Sequence, residues 1–324
     1  MILNDNQNNL LKEALESTFG EGYNINKINK LYGGSSTQHT FDILVNDTYQ
    51  LICRFIDETK ESAWRAQERI CTQKASDMDV APQLIYFDTA DKILLLEKAQ
   101  GSHINIEQLK DSQVQIAIAS QLNIWHQADP EGIAKTPSLL DKINKLATKF
   151  DHNILRALGI SSINELTQHH MQHLSNNHTV IHGDPNPSNM ILLPSGTVHL
   201  IDWSCAGIGE PWLDFAMISQ YLTTTDFWYN LITEHNGNTQ TQKIFTTYNH
   251  LLHVHCCLWA LEQAEKLIYI NNIQEDLATL VAKQQTTCSI SQMQSLWLNN
   301  EFNTQDHIQY IMLAKLMINS CMGC

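Results

Sequence analysis

Two aspartates and an asparagine in the second half of the chain have the types and spacing that phosphoryl transfer needs. Asp184 and Asn189 lie five apart in V-I-H-G-D-P-N-P-S-N-M, and Asp202 ends the apolar run of H-L-I-D-W after the turn Pro194-Ser195-Gly196. In that chemistry one carboxylate accepts or orients the proton of an attacking hydroxyl. Hard oxygen ligands hold the Mg²⁺ that neutralises the phosphates. Asp184 suits the first task, and Asn189 with Asp202 suits the second. Pro185 and Pro187 deny the loop a helix and stiffen it, as a reaction that depends on positioning requires. His182 is placed to brace the loop by hydrogen bonds, and Asp214, near the start of an apolar helix, to cap that helix or brace the loop. Asp and Asn as mere turn formers between two strands would explain the loop, but not the ordered residues upstream of it.

Those upstream residues fall on elements the pattern predicts. Residues 5–19 read as a helix capped by Asn4 or Asp5 and ended by Gly20. Alternation in 41–45 and 49–55 around Asn46-Asp47 predicts a β-hairpin. The preceding Gly/Ser/Thr turn offers the backbone N–H groups of Gly34, Ser35, Ser36 and Thr37 to phosphates. Arg54 lies on the strand face opposite Leu51, Cys53 and Phe55, where a cation could meet the same phosphates. A helix over 61–76 carries Glu68 as its ion-pair partner, with Glu61 competing because the helix phase is open. A second hairpin, 83–88 with 93–98, runs into a hinge at 97–101, where the backbone of Glu97 and Ala99 could pair with an adenine edge. Helices dominate from Ile104 onward, including 114–128, 141–158 and 163–175. Short strands at 179–182, 190–193 and 198–202 frame the Asp184 loop. The expected division is a nucleotide-binding lobe over 1–100 and a catalytic and substrate lobe over 101–324.

Composition narrows the partners. The 324 residues are 43% hydrophobic and 17% charged, enough for a sizeable core. Twenty Lys and Arg against 34 Asp and Glu give a net charge of −14, which argues against nucleic acid and anionic membranes. No run reaches the roughly 18 apolar residues of a membrane span, and the start lacks a signal-peptide pattern, so a cytoplasmic protein is expected. Eight scattered cysteines predict reduced thiols. The C-x-x-C at Cys321 and Cys324 has no second pair, and His169, His170 and His173 have no matching ligand cluster, so both read as non-metal features.

Taken together, H-G-D-P-N-P-S-N-M and L-I-D-W-S-C-A-G-I-G-E-P-W-L-D-F resemble the signature of the aminoglycoside-phosphotransferase and choline-kinase superfamily. The resemblance is strong over 180–215 and looser over 33–101. It implies an α+β, protein-kinase-like two-lobe fold with a small β-rich N-lobe and a larger helical C-lobe, using ATP and Mg²⁺. On it Asp184 is the catalytic base, Asn189 and Asp202 are the magnesium ligands, and Arg54 is the phosphate-contacting cation where many members have Lys. The segment H-V-H-C-C-L-W-A-L-E-Q-A at 253–264 is similar to a helix of choline and ethanolamine kinases, which implies Trp259, with Glu210 or Trp212, around a cationic acceptor. The expectation is therefore a small-molecule kinase acting on a choline-, ethanolamine- or thiamine-like alcohol. Its alternatives are an aminoglycoside phosphotransferase and, in another class, a nucleotide-binding pseudokinase or scaffold. The last would be favoured by loss of Asp184, Asn189 or Asp202, and all three are present.

Overall fold

Asn4 opens the first helix with a reciprocal cap: its side chain accepts the Gln7 N–H, and the Gln7 side chain accepts the Asn4 N–H. The computed structural model describes residues 3–31, 39–171, 174, 177–222, 226–233, 239–286, 288–298 and 301–322. Helix α1 (Asp5–Phe19) is followed by β1 (Ile25–Lys30), β2 (Thr40–Val45), β3 (Tyr49–Phe55), α2 (Ser62–Asp77), β4 (Leu84–Phe87) and β5 (Ile93–Glu97). The five strands form one sheet in the order β1-β2-β3-β5-β4, and every neighbouring pair is antiparallel. Register puts Ile43 opposite Leu51, Phe41 opposite Cys53 and Cys53 opposite Leu95. One face thereby becomes continuous and apolar, and Leu11, Ala14 and Leu15 of α1 cover it. With a two-residue period Arg54 must fall on the other face.

Next come β6 (Ser102–His103), α3 (Ile106–Leu109), α4 (Ser112–Trp125), α5 (Leu139–Ala147), α6 (His152–Ala157) and α7 (Ile163–Met171). Strands β7 (Thr179–Ile181), β8 (Met190–Leu192) and β9 (Val198–Leu200) frame the Asp184 loop, and β10 (Gly207–Gly209) follows. The chain ends in α8 (Pro211–Ser219), α9 (Asp226–Thr233), α10 (Thr239–Ile270), α11 (Leu277–Lys283), α12 (Ile290–Leu298) and α13 (His307–Met322).

Contacts group the chain into two units that do not meet at a single cut near residue 100. The first comprises Met1–Ile104, Ser120–Thr136 and Thr179–Ile208; the second takes the remaining stretches. Backbone pairing explains the interleaving. Ser102 pairs with Leu192, and the Leu200 N–H bonds the Val80 carbonyl at 2.8 Å, so the strands around Asp184 join the unit that holds the sheet. One strand was not anticipated and one expected helix is divided. β1 has the sequence I-N-K-I-N-K and is mostly exposed, a period of three that matches neither strand nor helix templates. The helix expected over 141–158 is broken at Asp151, whose carboxylate accepts the N–H groups of Asn153 and Ile154 and starts a new helix.

In the second unit the 32-residue α10 packs against α5, α8 and α13. Its apolar positions run all round, with Leu251, Leu252, Val254, Leu258, Leu261 and Ala264 buried, as a central helix requires. Among the described residues no helix is long and apolar enough to cross a membrane.

Candidate active site

The Asp184 loop is held from both ends by backbone and ring contacts. Gly183 has φ +78°, and a Cβ there would lie 2.3 Å from the Cys205 carbonyl oxygen, so both conformation and space demand glycine between His182 and Asp184. His182 is fully buried. Its Nδ1 accepts the Asp184 N–H at 3.3 Å, which assigns the tautomer whose Nε2–H donates to the Ile201 carbonyl at 3.0 Å. The ring ties the residue before Asp202 to Asp184 itself. The Ile201 N–H closes the same link by donating to the Asn189 carbonyl at 2.9 Å.

Asp184 and Asn189 are brought into contact. The Asn189 Nδ2 donates to the Asp184 carbonyl at 2.9 Å and to its Oδ2 at 3.2 Å. Asn186 Nδ2 donates to the other carboxylate oxygen, Oδ1, at 3.1 Å, while Asn186 Oδ1 accepts the Ser188 N–H at 3.0 Å. Asn186 was not singled out from the sequence. The signal was present: an Asn two residues after an Asp, between prolines, is an Asx-turn former whose amide can reach back.

Asp202 adopts the left-handed conformation, φ 64° and ψ 75°. This costs of order 1 kcal/mol for a residue with a Cβ. The turn out of β9 carries the Asp202 Oδ1 to within 3.0 Å of Arg54 Nη1. The same nitrogen lies 3.1 Å from Glu68 Oε1. Glu68 is thus the partner of Arg54, whereas Glu61 occupies the exposed position that begins α2. Burial opposes the Arg54 charge, but Asp202 and then Glu68 outweigh it and hold the guanidinium charged beyond its ordinary range. Glu68 is 1% exposed, and burial, against the pull of Arg54, raises its pKa from 4.5 to about 7.

A pH effect follows. Between pH 4.5 and about 7 the folded protein keeps a proton on Glu68 that the unfolded chain has released. Glu68 therefore contributes stability that is complete below pH 4.5 and lost as pH rises through about 7. Glu68→Gln is expected to flatten this part of the stability profile, measured as urea midpoints from pH 5 to 8. Equal slopes for the two proteins would contradict the burial argument.

At the hinge, the Glu97 N–H bonds the Gln83 carbonyl at 2.8 Å and the Lys98 N–H bonds the Gln50 carbonyl at 2.9 Å. The sheet uses both amides; Ala99 is the next position along. Gly34, Ser35, Ser36 and Thr37 lie outside the described residues, as do His173, Cys324 and the side chains of His169 and His170. Among the described residues no group of three or more His, Cys, Asp or Glu is placed to hold a metal ion. The Asp202 carboxylate and the Asn189 amide are the hard oxygen donors here that could hold a Mg²⁺. The Asn189 NH₂ group faces Asp184, so its amide oxygen is the atom that could meet a metal ion.

The remaining sequence candidates belong to the second unit. Asp214 is fully buried in the first turn of α8, where the helix dipole favours a carboxylate. Glu210 precedes that helix, is 8% exposed, and has its pKa raised by burial against a hydrogen bond from Tyr248. Trp212 packs on Phe215 with ring centroids 6.0 Å apart. Trp259 packs on Trp297 at 6.0 Å and Tyr310 at 5.8 Å, and Phe302 completes a ring of four aromatics. Rings in such edge-to-face contact fill their own space, so a cation could meet this cluster only on an outer face.

A family model described as "Phosphotransferase enzyme family" matches residues 40–240, more than half of the chain. The chain belongs to this family. It is a small-molecule kinase, and its fold is protein-kinase-like. A choline/ethanolamine kinase family protein from Mesorhizobium loti superposes with a TM-score of 0.64 at 13% identity, covering 98% of this chain and 100% of that one. Choline kinase LicA from Streptococcus pneumoniae gives 0.60 at 17% identity, over 86% and 97% of the two chains. The GDP complex of wild-type aminoglycoside 2'-phosphotransferase-IIIa gives 0.58 at 16% identity, over 90% and 99%. At such identities the likeness is one of fold. No curated protein sequence matches the chain significantly.

Proposed function

We propose that the protein transfers the γ-phosphoryl group of ATP to the hydroxyl of a small cationic alcohol of the choline, ethanolamine or thiamine kind. The observation that carries the reaction is Asp184 held by two amides, those of Asn186 and Asn189. Asp184 takes the proton of the acceptor hydroxyl as that oxygen bonds to the γ-phosphorus. The bond from phosphorus to the β–γ bridging oxygen breaks, and ADP leaves. Mg²⁺, when bound by Asn189 and Asp202, supplies charge neutralisation for the phosphates. Arg54 adds a fixed positive charge, kept in place by Glu68.

The acceptor class rests on Glu210. Its carboxylate is buried, and among the described residues no Lys or Arg forms an ion pair with it. Burial raises its pKa against the Tyr248 hydrogen bond and the more distant charges of His178 and Lys142, and a cationic acceptor would further favour the charged carboxylate. The test is ATP turnover against choline, ethanolamine, thiamine, methylthioribose, homoserine and a panel of aminoglycosides. Turnover with a small ammonium alcohol is expected. Turnover with aminoglycosides alone would replace the acceptor assignment. ATP binding without turnover on any alcohol would favour a nucleotide-binding scaffold.

A further inference from the structure

Gln67, the neighbour of Glu68 on α2, makes three hydrogen bonds to backbone far away in the chain. Its Nε2 donates to the Ala206 carbonyl at 3.1 Å and to the Ala134 carbonyl at 3.2 Å, and its Oε1 accepts the Ala134 N–H at 2.8 Å. The segments it joins are already paired, since the Ile208 N–H bonds the Ala134 carbonyl and the Thr136 N–H bonds the Ile208 carbonyl, both at 2.9 Å. Gly207 lets them come this close. A Cβ there would lie 2.5 Å from Thr136 Cγ2, 2.9 Å from the Ala134 oxygen and 3.0 Å from Gln67 Nε2.

Ala206 stands at the far end of the one-turn 3₁₀ helix Trp203–Cys205, and Asp202 stands at its near end. That turn is stiff. The Ala206 N–H bonds the Trp203 carbonyl, and the buried Trp203 ring packs on Trp125 and His182. The helix α2 therefore grips this turn twice, at Asp202 through Glu68 and Arg54, and at Ala206 through Gln67. We infer that Gln67 is a positioning residue for the phosphotransferase, holding α2 in register with the turn so that the Glu68–Arg54–Asp202 chain meets the nucleotide. The inference rests on the assignment of Arg54 and Asp202 to ATP and its magnesium.

The test uses Gln67→Met, which keeps the length of the side chain and removes its hydrogen bonds. Gln67→Glu keeps the acceptor for the Ala134 N–H and loses both donations, so it serves if the first variant folds poorly. MgATP affinity is measured by calorimetry for each variant, alone and combined with Glu68→Gln. About tenfold weaker binding is expected in the natural background, the size of a coupled hydrogen-bonding group. A much smaller loss is expected beside Glu68→Gln, because the two residues then act along one path. The acceptor KM should not move. Unchanged affinity, or an equal loss in both backgrounds, would overturn the inference. If no alcohol is phosphorylated by the natural protein, the reaction assignment fails, yet the binding cycle still decides the role of Gln67.

Discussion

Asp184→Ala is expected to lower kcat by about a hundred- to ten-thousandfold, the range that a positioned general base contributes, while ATP·Mg²⁺ still binds. The geometry sets this separation. Asp184 is held by Asn186 and Asn189 through its two carboxylate oxygens and by His182 through its N–H, and the ligands proposed for the metal are Asn189 and Asp202. Deleting the carboxylate removes the proton acceptor and leaves both ligands. Single-turnover phosphoryl transfer, alongside calorimetric nucleotide titration, separates the two effects. Near-normal turnover in the variant would remove Asp184 from the role of base.

Arg54→Ala is expected to produce the largest loss of stability, about 3–5 kcal/mol, as when one partner of a buried ion pair is removed. Glu68 would keep its 1% exposure and lose its ion pair with Arg54, and Asp202 would lose its hydrogen bond from the same guanidinium. The cost should be greater above pH 7 than at pH 6, because Glu68 titrates at about 7 and its neutral form needs Arg54 less. Arg54→Lys should retain most of the stability. Both carboxylates meet the single nitrogen Nη1, and an ammonium at that point could serve both. Urea unfolding of the three proteins at pH 6 and 8 checks this; an Arg54→Ala protein as stable as the natural one at pH 8 would refute it.

The contact between Asp184 and Asn189 was legible because their spacing is local: both lie on one loop, and Asp202 ends the strand run that follows. The face of Arg54 was legible too, since a two-residue period decides it once the hairpin is read. Periodicity left the choice between Glu61 and Glu68 open, because helix phase is settled by what α2 packs against. β1 was hidden by its period of three, and the break at Asp151 by apolar residues on both sides of it. Gln67 could not have been found. Its partners lie 67 and 139 residues away, and nothing in S-A-W-R-A-Q-E-R-I marks one polar residue of the helix above another.

The interleaving of the first unit has a consequence for how the protein is made. Arg54 and Asp202 are separated by 148 residues, and the unit that contains them is completed only by the stretch Thr179–Ile208. On the ribosome the residues of the sheet and α2 emerge first, Arg54 and Glu68 among them, with the Ala134 and Ala206 contacts of Gln67 still to come. Closure must wait until nearly two-thirds of the chain has been synthesised, and ordering so long a loop is entropically slow. During that interval the residues that β9 later covers, Val80 among them, stand open to solvent, so chaperone demand should concentrate in the middle third of translation.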